Sequence, residues 1–392
     1  MTLASSSKTQ LVIIEEAAFG VTPATSTSKY LRMTGESLAY DIQTAASEEI
    51  NASRQVTDMV HVGATAQGGV NLELSYREYD PLLEALLSGT FTTFGTGGVK
   101  ALTCSFNHTL GTITDDGIDG FIGLVAGQWF SVIGGANAGV YRIGSRTNDA
   151  ITVDTDTPLV STVPAVSCSI TGTRLSLGTA ALRSFTIEKR FTDVSQFFAY
   201  RGMSPSKLDL SFDTGSILKG SISFMGANST RASVTFITGT PADSQPFGVD
   251  NAVTGVGAIL LDGALIANTY VKSAKISVDG KLRGQTAIGS LGNVGLGAGT
   301  FEIGGTLELY LVDGAIYDQA IANSLLSLEI PVMDVDNNGY TFIFNNIKLG
   351  VPTVAAGSKD NDVMLSVPFT AVAPTPTTDK MLIIDRFGVI AA

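Results

Sequence analysis

A strand-and-helix unit is written twice in this chain, and that repetition constrains the fold more than any other feature. "GGVNLELSYREYDPLLEALLSG" (68–89) sets Val70, Leu72, Leu74 and Tyr76 against Asn71, Glu73 and Ser75, then passes into a short helical pattern. Asp80 is expected to cap that helix, with Pro81 at its first position and Gly89 ending it. Later, "GGTLELYLVDGAIYDQAIANSLL" (304–326) follows the same order, with Tyr317-Asp318 expected before the second helix as Tyr79-Asp80 precedes the first. Alternating strands also come before each unit, in "SLAYDIQ" (37–43) and "SAKISVDG" (273–280). Each is followed by a long stretch, polar in 44–67 and Gly-rich in 283–300, and loops of that size usually have a task. Strand, long loop, strand and helix therefore recur in order, as expected of a duplicated fold.

The intervening segments fix the organisation. Residues 93–176 hold short strands between Gly, Asn and Asp turns at close spacing, expected as a small β-barrel or sandwich whose core Trp129 anchors. The host fold resumes in "RSFTIEKRF", "SKLDLSFD" and "GSISFMG". The expected domains are an extended arm (1–30), a first domain (31–92 with 177–240), the insert (93–176), a second domain (241–372) and a C-terminal arm (373–392). In that last arm "APTPTT" reads as an extended linker, and "MLIIDRFGV" as a strand free to pair with a neighbouring molecule.

Composition agrees with a mainly β fold. The chain has 43 glycines among 392 residues, 44% hydrophobic and 15% charged residues. No apolar run approaches the ~20 residues of a membrane helix, and the first residues lack the pattern of a secretory signal. Net charge is −12 with no Lys/Arg cluster, which argues against gripping a nucleic-acid backbone. Cys104 and Cys168 are too few for a disulfide framework and are read as buried thiols.

No catalytic set, cofactor site or metal site is expected. His61 and His108 lack metal-ligand spacing, and neither a serine elbow nor a phosphate loop occurs. "GNVGLGAG" (292–299) is not a dinucleotide fingerprint. "DVDNNG" (334–339) matches the first half of a calcium loop, but Asn345 stands at the twelfth position, so Asn338-Gly339 is read as a hairpin turn.

Together, "SEEINASRQ" (47–55), "GGVNLELSY", "YDPLLEALL" (79–87) and "SFTIEKRFTDVSQFFAYRGMSPSKLDLSFDTGSILKGSISFMG" (184–226) resemble the major tail tube proteins of long-tailed bacteriophages. The resemblance covers most of residues 30–372 and lies in the order of the motifs. It implies a duplicated β-sandwich or barrel fold, each copy flanked by a short helix. Subunits would form stacked rings of the virion tail tube, assembled in the host cytoplasm. Two tube folds per chain imply trimeric, pseudo-sixfold rings. The alternatives are six chains with one tube fold each, or a non-tube adhesive β-protein. Implied partners are further copies, the tail terminator, the tape measure, distal tail and baseplate proteins, and double-stranded DNA passing unbound, with no membrane insertion.

On this reading an acidic, cation-poor lumen is expected to be lined by Asp41, Gln43, Asn71, Glu73, Ser75, Ser277, Asp279, Glu302, Thr306 and Glu308. Glu48, Glu49, Arg54, Gln55, Asp58 and Arg283, on the long loops, are expected to touch the next ring.

Overall fold

The computed structural model describes residues 3–24, 27–154, 158–251, 259–266 and 270–388. Among the described residues the protein is mainly β, with two short α-helices. The first half begins with β1 (Thr9–Glu15), β2 (Lys29–Leu31), β3 (Gly35–Glu36), β4 (Ala39–Ala46), β5 (Met59–Glu73) and α1 (Asp80–Leu86). β1 is not part of an extended arm. Its unbroken run of Leu11, Val12, Ile13 and Ile14 is buried, and β1 pairs with both β2 and β13 (Phe185–Phe191). A strand covered on both faces needs a continuous apolar run rather than alternation.

The insert is a closed six-stranded barrel made of β6 (Val99–Asn107), β7 (Thr112–Asp115), β8 (Trp129–Ile133), β9 (Gly139–Arg146), β10 (Ala150–Val153) and β11 (Thr162–Thr171). Its own core includes Phe106, Phe121, Phe130 and the free, buried thiols Cys104 and Cys168. Trp129 does not belong to that core. It packs instead on Ile343, Ile383 and Phe387 of the second half, so it joins the barrel to the body.

The chain returns through β12 (Thr173–Ser176) to β13, the long β14 (Gln196–Asp213), β15 (Lys219–Gly226) and β16 (Asn228–Ala232). A small hairpin, β17 (Leu260–Leu261) with β18 (Ala264–Leu265), precedes β19 (Val271–Asp279). Then come β20 (Arg283–Gln285), β21 (Gly295–Gly297), β22 (Glu302–Tyr310), α2 (Ala315–Ile321), β23 (Leu325–Met333), β24 (Gly339–Leu349), β25 (Thr353–Ala355), β26 (Met364–Ala371) and β27 (Ile383–Phe387).

Pairing order is the same in both halves. The first runs β4–β5–β15–β14–β13, and the second runs β19–β22–β26–β24–β23. Both helices are seven residues long and end alike. Ser88 and Asn323 take left-handed backbone angles (φ 48° and 52°), and the next N–H reaches five residues back, Gly89 to Glu84 at 3.0 Å and Ser324 to Gln319 at 3.2 Å. Two helix-start expectations are corrected. Asp80 lies inside the helix, where its carboxylate accepts from the Tyr340 hydroxyl at 2.6 Å and from Arg386, and Tyr317-Asp318 lies within α2.

The halves are fused into one sheet. The C-terminal part of β14 pairs antiparallel with β19, Lys207 opposite Asp279 through to Asp213 opposite Ser273. One cluster of buried side chains spans both halves, from Leu72 and Phe212 to Leu307 and Phe369. β27 lies inside this same body, between β12 and β24, rather than reaching toward a neighbour. Its apolar Ile383, Ile384 and Phe387 find enough cover in their own chain to be buried.

Candidate functional site

Alternation gives the shared sheet one apolar and one polar face. Leu72, Ile222, Leu208, Val278 and Ile303 point into the core, leaving their neighbours on the other side. Paired residues share a face, so registers can be read across the sheet. One row runs Glu73, Lys219, Ser211, Lys275, Thr306, Pro368. The next runs Asn71, Ser221, Asp209, Ser277, Gly304, Thr370. These rows line a concavity that crosses the seam between the halves.

Asn71, Glu73, Ser277, Asp279, Glu302, Thr306 and Glu308 are brought together on this face. Asp41 and Gln43 share it too, opposite Thr65 and Gly63, on the part of the β4–β5 hairpin where both strands leave the body. Ser75 does not. β5 ends at Glu73, Val249 bridges to Ser75, and the Ser75 hydroxyl is buried with no hydrogen-bond partner among the described residues. The adjacent Asp250 is fully buried, with both carboxylate oxygens unpartnered among the described residues; burial and the nearby Asp334 raise its pKa to about 8.

The face is not free of cations. Lys207 and Lys275 come from the seam strands and Lys219 from the neighbouring β15, each beside a carboxylate or hydroxyl. Lys207 meets Asp209 at 2.9 Å, Lys219 stands opposite Glu73, and Lys275 lies between Ser211 and Thr306. At one end Lys281 bridges Asp279 (3.1 Å) and Glu302 (2.8 Å). Ser277 donates to Asp209 across the seam at 2.7 Å. "SKLDLSFD" shows these polar positions by alternation, but only the pairing of β14 with β19 places them on one wall.

Four antiparallel steps separate β4 from β19, so the two strands run the same way and both long loops leave the sheet at one end. The loops touch, the Ala64 N–H donating to the Leu291 carbonyl at 2.8 Å. Glu48, Glu49, Arg54, Gln55, Asp58 and Arg283 are exposed on them, as is Ile50 at 99%. Among the described residues no cluster of His, Cys, Asp and Glu could hold a metal. In "DVDNNG", Asp334 spends its carboxylate on the N–H groups of Asp336 and Asn338 and on the Asn338 amide, which closes the β23–β24 hairpin. No helix among the described residues is long and apolar enough to cross a membrane.

No curated protein matches the chain. A family described as phage tail tube protein matches residues 6–371, a span that takes in both copies of the repeat, the seam and the inserted barrel. With the match running over nearly the whole length, the chain belongs to the phage tail tube protein family.

Proposed function

We propose that this structural tail protein builds rings in which sheets of neighbouring subunits continue one another, and that the polar face of each sheet lines the bore for genomic DNA. The observation that carries this reading is the seam. β14 and β19 already join the two halves edge to edge, with one polar face running through the joint. Since each chain carries two such halves, three chains give a pseudo-sixfold ring, and this internal join favours three over six. Closing the sheet on itself removes its exposed edges.

DNA slides along such a wall because its lysines are already matched by neighbouring carboxylates and hydroxyls, leaving few cations to trade for phosphate counterions. Repulsion from the remaining carboxylates is screened beyond about 8 Å at physiological salt. The loops at one end of the sheet are the contacts to the next ring. The tail terminator, tape measure and distal tail proteins would meet the two ends of the stack. The chain acts by assembly and not as an enzyme, in the virion tail after assembly in the host cytoplasm.

Electron microscopy of the purified protein tests this. Hollow filaments with three chains per layer are expected, and solid fibres or lasting monomers at high concentration would sink the reading.

A further inference from the structure

The β14–β19 seam serves as a template for the contact the monomer leaves unmade. In the first half, β14 has β15 on one side and β19 on the other. The matching segment of the second half, Leu349 with β25, pairs among the described residues with β26 on one side only, β24 being flanked by β23 as far as Lys348. At the opposite margin of the sheet β3, which lies along β5 beside β4 and opposite the residues that match β19's partners in β22, pairs among the described residues with β5 on one side only. These two free edges lie at opposite ends of one continuous sheet.

The side chains along the first edge differ sharply between the halves. Following the register through β15 and β26, Thr353 corresponds to Ser211, Val354 to Phe212 and Ala355 to Asp213, with one extra residue before Thr353. Leu210 and Phe212 are 3% and 4% exposed, whereas Val351 and Val354 are 81% and 46% exposed. The helices repeat the contrast. α1 is tied to the second half through Asp80, Tyr340 and Arg386, and its Leu82 and Leu86 are buried. In α2 the matching Tyr317 and Ile321 are exposed. Apolar side chains on an unpaired strand edge are a template for another strand.

We infer that the occupant is the β3 edge of a second copy of this chain, in the register of the seam. Residues Leu349–Ala355 of one subunit run antiparallel to Met33–Leu38 of the next. Thr353 then lies opposite Gly35, and Val354 opposite Thr34, as Ser211 lies opposite Lys275 and Phe212 opposite Ala274. A groove beside β3, lined by Thr9, Tyr30, Met33, Thr34 and Gly35, receives the incoming strand. The contact is head-to-tail, the kind that forms a ring when its rotation divides a full turn, as the proposed three-chain ring requires. This inference rests on the ring reading and adds its register.

Paired cysteines test it. Thr34→Cys with Val354→Cys puts two thiols at opposed positions, within the Cα separation a disulfide spans. Ser37→Cys with Val354→Cys is the off-register control. Cys104 and Cys168 are buried in the barrel and do not compete. Mild oxidation of assembled tubes should convert the monomer band into linked dimers and trimers for the first pair and spare the control. Assembled tubes in which the first pair stays monomeric, or links no better than the control, overturn the register while leaving the ring standing. Failure of the parent protein to form tubes would overturn the ring itself. Should the double variant not assemble under reducing conditions, Val354→Asp decides; it is expected to abolish rings while the monomer stays folded, and normal tubes from it overturn the inference.

Discussion

The indole N–H of Trp129 donates to the buried carboxylate of Glu329 at 2.7 Å, bonding the inserted barrel to the second half of the chain. Arg142 meets the same carboxylate at 2.9 Å, and Arg174 pairs at 2.6 Å with Asp385, which also accepts from the Trp129 backbone N–H at 2.8 Å. Burial raises the Asp385 pKa while Arg174 pulls it down. Glu329→Ala removes the carboxylate shared by Arg142 and Trp129 and is expected to cost about 3–5 kcal/mol. Denaturant unfolding measures the loss. Trp129 is the chain's only tryptophan, so a red shift of its emission reports undocking of the barrel.

The bore prediction follows from charge pairing. Glu73 stands opposite Lys219, so Glu73→Lys with Glu308→Lys leaves lysines along the wall with no carboxylate to match them. Tubes should still assemble, and DNA release from particles carrying the variant should slow. Glu73→Gln with Glu308→Gln should slow release less, because it adds no cation. Equal release rates for the lysine variant and the parent would remove the bore assignment.

Stacking depends on the loop tip in the same way. Ser47 donates its N–H to the Asp58 carbonyl at 2.8 Å, closing the hairpin below an exposed Ile50 and Val56. Replacing both apolar residues by Asp should leave a folded protein that no longer lengthens into tubes, read by sedimentation. Tubes of parental length would show that this tip is not the joint between rings.

Much of the fold was legible because period two is a local property. The alternation of Val70, Leu72 and Leu74, and of Ala274, Ile276 and Val278, predicts strands whose buried members are those found. Local signals failed where the partner lies far away in sequence. Thr9–Glu15 was hidden because its burial depends on Phe185–Phe191. Asp80 has the composition of a cap, yet Tyr340 and Arg386 claim its carboxylate. The polar wall was legible strand by strand, Lys207 and Lys275 included, but its assembly was not, since no local pattern reveals that β14 pairs with β19.

Asp250 supplies a pH prediction. Its carboxyl is fully buried without a partner among the described residues, and burial with the nearby Asp334 raises its pKa to about 8. In the unfolded chain it titrates in the ordinary carboxylate range, near 3.9. Between that range and about 8 the folded state holds a proton the unfolded state has lost, so this group makes stability fall as pH rises. Its contribution is about 1.4 kcal/mol per pH unit. Below the range both states are protonated and the penalty vanishes; above about 8 both are ionised and it levels off. Asp250→Asn is neutral throughout and should therefore be more stable than the parent at pH 8, with the difference shrinking toward pH 4. Urea unfolding across that interval reads the slope directly, and identical pH dependence in the variant and the parent would mean that Asp250 is ionised and solvated in the folded protein.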